Sequence, residues 1–483
     1  MRALTPPQYD GNDGHDGGGH AQPAVHDLIG VGFGPSNLAL AVAVEEHNAH
    51  VAEDRRIKAL FLEKQPAFGW HRGMLVDGAT MQVSFLKDLV TMRNPTSDFS
   101  FVSYLHGIGR LVEFINHKVF FPLRVEFHGY LEWAASRVDH QVRYNAHVTA
   151  VRPVRSEDGR VTAYDVVVGE GDTEVRHRAR NVVLAPGLSP RLPDGVVASE
   201  RVWHNARLVP NVAATDPARV RTAVVVGAGQ SAAETADYLH RRFPEADVHA
   251  VFARFGYSPA DDSPFANRIF DPDAVDQFYE APDEVKELLT DYHRNTNYSV
   301  VDGDLITELY RRVYEERVAG RQRLYIRHAS RVVELRDGGE GTDVDVEFLP
   351  TGKTETLRAD VVVYATGYLP GDALALVEGA EAVCAYDADG RPRLGRDYRV
   401  VTEKPSAAGI YLQGPTEHTH GIGSTLLSNI AVRAGEILAS VGEHLGRGTG
   451  SNGRAVPGVP GQASRGAGGN EDPQQDLALT RRS

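Results

Sequence analysis

Two strand, glycine-turn and helix segments, about 200 residues apart, constrain this 483-residue chain more than any other feature. The first runs from Val25-His-Asp-Leu-Ile29 into Gly30-Val-Gly32-Phe-Gly34-Pro35, then into a helix-like stretch from Ser36 to Glu46. That order lets backbone N–H groups meet a pyrophosphate at a helix N-terminus. An acidic residue closing the next strand would hold ribose hydroxyls, and Glu63 closes Leu60-Phe-Leu62, farther along than the usual ~20 residues. Counted from Gly30, the sixth position of the G-x-G-x-x-G pattern is Pro35, so an ordinary tight turn stays open as the alternative. The second segment, Thr222-Ala-Val-Val-Val-Gly227-Ala-Gly229-Gln230-Ser231-Ala232, has the accepted G-x-G-x-x-A form. After Val248-His-Ala-Val-Phe252, Arg254 stands where NAD-binding chains place a carboxylate. A cation there suits the 2′-phosphate of NADP. A solvated surface charge is the plain alternative, and Arg241 and Arg242 are rival phosphate ligands. Together the two segments suggest FAD and a pyridine nucleotide. Ala185-Pro-Gly187 and Ala365-Thr-Gly367-Tyr368 each follow a strand, where a glycine lets a crossover pass close to a cofactor.

Apolar runs alternate with helical patterns, which gives an α/β fold. Lys58-Ala-Leu-Phe-Leu-Glu63, Ala179-Arg-Asn-Val-Val-Leu184, Thr222 to Val226 and Asp360-Val-Val-Val-Tyr364 read as strands covered on both faces. Val285, Leu288, Leu289 and Tyr292 recur at helical spacing, as do Ile306, Leu309, Tyr310 and Val313, with no strand between. The expected organisation is two Rossmann-like domains. Residues 25–205 and 365–445 form an FAD-binding domain, and 206–364 form an NADPH-binding domain with a helical substrate-binding insertion at about 255–320. Residues 1–24 and 446–483 are expected to be disordered, since neither tract buries enough apolar surface to offset ordering.

Asp and Glu (65) outnumber Lys and Arg (51), leaving a net charge of −14 and no basic stripe for nucleic acid. The single cysteine, Cys384, excludes an internal disulfide and a dithiol redox centre. No signal-peptide pattern opens the chain and no run approaches ~18 apolar residues, so a soluble cytoplasmic protein is expected, without membrane insertion. His418-Thr-His420 lacks a third ligand and the N-terminal His15 and His20 lie among glycines, so no metal is expected.

Met81-Gln82-Val-Ser-Phe-Leu-Lys87-Asp88-Leu-Val-Thr-Met-Arg93-Asn94-Pro95-Thr96-Ser97 resembles the signature of the microbial L-ornithine N5-monooxygenases of siderophore biosynthesis. Further tracts agree in order: Gly30 to Leu38, Trp70-His71, Phe120-Phe-Pro-Leu-Arg-Val-Glu-Phe127, Gly227 to Glu234, Asp261-Asp-Ser-Pro-Phe-Ala-Asn267, Asn295-Thr-Asn297-Tyr298-Ser299 and His420 to Ser428. The resemblance covers roughly 25–440. It implies that Lys87 pairs with the substrate carboxylate, that Asn267 and Asn297 bind its amino-acid end, and that Ser428 neighbours its side-chain amine. It also implies that Gln82, with Met81, Trp70 and His71, lies against the flavin, and that Gln230 and Ser231 touch NADPH. Gly30, Gly32, Gly34, Pro35 and Glu63 complete the expected FAD site; Gly227, Gly229 and Arg254 complete that for NADPH.

The implied activity is NADPH- and O2-dependent N5-hydroxylation of L-ornithine through a C4a-hydroperoxyflavin, for hydroxamate siderophores. No side chain is assigned a catalytic role, since the cofactor carries the oxidation. Lysine or diamine hydroxylation by the same route is the alternative, and a non-catalytic flavin sensor a remote one. The resemblance also implies a homotetramer.

Overall fold

The computed structural model describes residues 25–170 and 173–447; the two tails expected to be disordered lie outside them, apart from residues 446 and 447. The charge-poor runs form the central strands, and more heavily charged stretches such as Ser330–Gly338 and Lys353–Ala359 form strands as well. In chain order they are β1 (Val25–Val31), β2 (Ala59–Leu62), β3 (Val142–Arg143), β4 (His147–Arg155), β5 (Val161–Glu170), β6 (Thr173–Leu184), β7 (Leu188–Pro190), β8 (Val202–His204) and β9 (Thr222–Val226). There follow β10 (Asp247–Val251), β11 (Leu324–Arg327), β12 (Ser330–Gly338), β13 (Gly341–Phe348), β14 (Lys353–Ala359), β15 (Val361–Tyr364), β16 (Tyr368–Pro370) and β17 (Gly409–Leu412).

The first sheet has the order β3-β2-β1-β6-β5-β4, and β17 also pairs with β6. The twelve-residue β6 serves two partners in sequence. Its first half makes an antiparallel hairpin with β5, and its second half runs parallel to β1 and β17. The second sheet, β11-β10-β9-β15-β8, is parallel throughout. Helices cover one of its faces and β12–β14 the other, which is why Ala223, Val224 and Val225 are wholly buried without a polar alternation. β12, β13 and β14 form a separate antiparallel meander.

One feature differs from the expectations. β8 pairs in parallel with β15 in the second sheet, so the division placed at 205/206 falls after chain already committed to that sheet. Three residues at an edge carry too little pattern to betray it. Between β10 and β11 the chain forms helices Pro272–Glu280, Asp283–His293 and Gly303–Val318. Leu309 and Val313 of the last pack into the core under the second sheet, as their spacing suggests. Leu288 and Tyr292 instead face outward at 50% and 73% exposure, and Tyr310 at 76%. Periodicity shows that residues share a face; it does not supply a neighbour to cover it. Among the described residues, no helix is long and apolar enough to cross a membrane.

Candidate functional site

The two glycine turns are built on one plan, and it shifts the reading of the first. β1 ends at Val31 and β9 at Val226, so the first turn glycine is Gly32 in one and Gly227 in the other. Both adopt positive φ (82° and 146°). A Cβ on either would lie 2.4 Å from a backbone carbonyl, that of Ala185 after β6 or that of Ala365 after β15. Gly34 and Gly229 are the equivalent N-caps of helices Pro35–His50 and Gln230–Arg242. The first fingerprint is therefore Gly32-x-Gly34-x-x-Asn37. Pro35 opens the helix, where its missing N–H costs nothing. Gly30 is corrected from a cofactor contact to a packing position inside β1, since a Cβ there would strike the Phe61 ring at 2.3 Å.

Buried polar side chains hold the first turn. Glu63 accepts from the Phe33 N–H at 2.6 Å and from the Gln65 N–H at 2.8 Å. Asn37 donates to the Gly32 carbonyl at 2.7 Å and accepts from Gln413 at 2.9 Å, at the end of β17. Beyond Gln413, the side chains of Thr416, Ser424 and Asn429 are buried with no hydrogen-bond partner in the described chain. Orphaned buried groups are costly. A close-approach glycine cradle beside them fits a dinucleotide that brings hydrogen-bonding groups of its own.

The second turn is more open. Ser299, in the left-handed region at φ 57°, lies over Gly229, where a Cβ would meet its Cα at 3.4 Å. Gln230 is occupied within the protein: its oxygen accepts from the Asp302 N–H at 2.8 Å and its amide donates to Glu234 at 2.9 Å. The rival arginines are engaged by acids. Arg241 bonds Asp237 and Arg242 bonds Asp77. Arg254 donates to the Ser258 hydroxyl at 3.2 Å and the Ser299 carbonyl at 2.8 Å, both neutral. Its charge is thus unmatched by a carboxylate among the described residues, which fits an incoming phosphate.

The 70–82 segment lies where the two halves meet. Arg124 grips both oxygens of Glu234 at 2.8 and 2.7 Å and also bonds the carbonyls of Met74 and Thr80. That pair, 110 residues apart in the chain and nearly buried, ties the segment to the second glycine helix; sequence inspection passes over it because no local pattern announces such a partner. His71 sits at φ 49°, with Trp70 edge-on at 4.7 Å and Tyr368 at 5.9 Å. The residue stays exposed to solvent while protein atoms crowd its ring. That desolvation, helped by Arg124, pushes its pKa down to about 4. Met81 is buried, whereas the Gln82 side chain is exposed. Tyr368 opens β16, which pairs antiparallel with β7, so the two glycine-led crossovers at 187 and 367 run together as one ribbon.

Lys87 is half-buried, with its Nζ 5.7 Å from the centre of the Phe270 ring. Burial lowers its pKa, partly offset by Asp271. No carboxylate lies within 4 Å of it among the described residues. Phe270 belongs to the short 3-10 helix Ala266–Phe270, which also carries Asn267. Asn267 donates to the Asp262 carbonyl at 2.7 Å, which leaves its own oxygen open. The same short helix packs against the 422–425 turn, and Ser428 follows, 9% exposed. Asn297 precedes Tyr298, whose hydroxyl donates to Glu417 at 2.6 Å. Lys87, Asn267 and the Ser428 loop thus gather about Phe270, while Tyr298, next to Asn297, bonds Glu417 in the helix that precedes this loop. His420 donates or accepts only at Thr419 and the Arg396 carbonyl, and no group of three potential metal ligands occurs among the described residues.

The family described as L-lysine 6-monooxygenase/L-ornithine 5-monooxygenase matches residues 24–370. The L-ornithine N(5)-monooxygenase of Burkholderia cepacia is 43% identical over 82% of this chain and 90% of its own length. That of Pseudomonas aeruginosa is 39% identical over 89% and 96%. Among solved structures, the Kutzneria ornithine N-hydroxylase with reduced FAD, NADP+ and L-ornithine superposes with TM-score 0.83 at 47% identity, covering 87% of this chain and all of that one. An L-lysine 6-monooxygenase from Pseudomonas syringae follows at 0.76 and 31%, over 87% and 100%.

Proposed function

We propose that this chain, which belongs to the L-lysine 6-monooxygenase/L-ornithine 5-monooxygenase family, catalyses NADPH- and O2-dependent N5-hydroxylation of L-ornithine with FAD as cofactor. Gly32, Gly34, Pro35 and Glu63 hold FAD, with Trp70, His71, Met81 and Gln82 beside its ring. Gly227, Gly229, Gln230, Ser231 and Arg254 hold NADPH. Bound FAD, reduced by NADPH, supplies the oxygen-transfer chemistry. The side chains orient the substrate and keep water away, and none acts as a general base.

The carrying observation is the Lys87 ammonium, held over Phe270 with no carboxylate in reach among the described residues. A half-buried cation of this kind calls for an anion, and the α-carboxylate of an amino acid provides one through charge-assisted hydrogen bonds. Asn267 and Asn297 complete that end. The far amine lies by Ser428 and must be neutral to react. From a pKa near ~10.4, deprotonation at pH 7 costs about 4.6 kcal/mol, which a desolvating site reduces. Fixing the carboxylate at Lys87 sets how far the amine reaches. Lysine, one methylene longer, overshoots, where a methylene alone discriminates by ~10–200-fold.

Hydroxylamine formation is measured with L-ornithine, L-lysine and putrescine. Ornithine is expected to exceed both, and putrescine, lacking a carboxylate, to show the largest rise in KM. Equal turnover of ornithine and putrescine would remove the anchor role of Lys87. A preference for lysine would move the chain to the other branch of its family. A homotetramer is the proposed assembly, checked by sedimentation.

A further inference from the structure

The largest fully buried side chain in the described structure is a cation, Arg433, 1% exposed on helix Ile430–His444. Its acceptors are all neutral. Nε donates to Gln413 Oε1 at 3.2 Å, Nη2 to Ser36 Oγ at 3.1 Å, and Nη1 to the Ser424 carbonyl. The nearby Glu436 is already gripped by both terminal nitrogens of Arg396. Ser36 lies in the first turn of helix Pro35–His50, whose N-terminus is itself electropositive. A guanidinium buried at the positive end of a helix, with no carboxylate bonded to it among the described residues, is doubly unfavourable in the protein alone. Through Gln413 and Asn37 its hydrogen bonds continue to the Gly32 carbonyl. On its other side it holds Ser424, at the start of the loop that carries Ser428.

We propose that Arg433 is a positioning residue, the buried counter-charge of the FAD pyrophosphate and the strut that joins its glycine cradle to the Ser428 loop. The inference rests on the first turn holding FAD. A pyrophosphate at Gly32 and Gly34 lies one side chain from the guanidinium and offsets both positive charges. Without the diphosphate, three neutral acceptors take three of the guanidinium's five N–H donors and leave its charge unmatched.

Two variants separate this role from mere packing, with FAD dissociation constants read by flavin fluorescence on apoprotein. R433M removes the charge and is expected to weaken FAD at least tenfold, while R433K stays within a few-fold of wild type. Q413E gives Arg433 an internal counter-ion. Q413M loses the same donation to Asn37 and Ser36 without adding a charge; beside it, Q413E apoprotein is expected to melt higher and yet to bind FAD at least tenfold more weakly, a divergence that packing does not produce. With FAD saturating, R433K is expected to raise the ornithine KM severalfold, since a single ammonium cannot hold Ser36, Gln413 and Ser424 together. Unchanged FAD affinity in R433M and Q413E overturns the counter-charge. Equal losses in R433M and R433K do the same, and an unchanged ornithine KM in R433K removes the strut. Should R433M not fold, Q413E decides the counter-charge. Wild-type apoprotein that takes up no FAD is a separate result, which defeats the flavoenzyme reading itself.

Discussion

The two glycine turns share a backbone plan and differ in what surrounds it. Gly32 and Gly227 approach a neighbouring carbonyl equally closely. Around Gly32, however, Asn37, Glu63, Gln413 and Arg433 are all buried. Around Gly227, Gln230 and Ser231 are half-exposed and Arg254 is exposed. A turn lined by buried polar groups is suited to a resident ligand, because departure exposes unpaired groups to no solvent. A half-open turn, covered by the single Ser299 segment, is suited to a ligand that comes and goes. One fold thus serves two nucleotides by varying the shell and leaving the turn alone.

The sharpest way to break this comparison is to fill each turn. Gly32→Ala forces a Cβ onto the Ala185 carbonyl at a positive φ, and retained flavin is expected to fall roughly tenfold or more. Gly227→Ala meets the same obstacle at Ala365, yet flavin content should survive while the NADPH KM rises by a similar factor. Absorbance of the purified variants checks both, and equal flavin loss in the two would erase the distinction. Next in size is the join between the halves. Glu234→Gln leaves Arg124 nearly buried without its acid, a change that costs about 3–5 kcal/mol for a buried pair. A lowered melting temperature is expected, and an unchanged one would show the pair to be idle. Lys87→Ala removes a charge-assisted contact worth about 1.5–3 kcal/mol, so the ornithine KM should climb roughly tenfold or more with flavin content intact. Arg254→Ala is a smaller test of the open turn, in which NADPH weakens and NADH does not.

Acid sensitivity is shared by both regions. Burial pushes His249 and His420 down to about 4, and nearby arginines add to this. The fold prefers both rings neutral, so as pH falls below 6.5 the unfolded chain takes up protons first. Their contribution is complete above pH 6.5 and is lost between there and about 4. His420→Gln should flatten that slope in urea titrations at stepped pH.

What the sequence disclosed follows from range. The strands and the second fingerprint are written in consecutive residues, and they stand where the local pattern puts them. The first fingerprint reads two residues early because Gly30 resembles a turn glycine. Only the fold reveals that it yields space to Phe61, 31 positions on. Arg124 with Glu234, and Arg433 with Ser36, join residues 110 and 397 apart, and no periodicity encodes such meetings. Leu288 and Tyr292 lie on a helix as their spacing implies, and only the fold shows that no tertiary partner covers them.

The central claim is oxygen transfer from O2 to the ornithine side chain, and one isotope experiment addresses it. Purified protein is given FAD, NADPH, L-ornithine and isotopically heavy O2, and the product is read by mass spectrometry. The account predicts N5-hydroxyornithine carrying a single heavy oxygen, formed only with NADPH. NADPH consumption without hydroxyornithine, or a product whose oxygen comes from water, would contradict it.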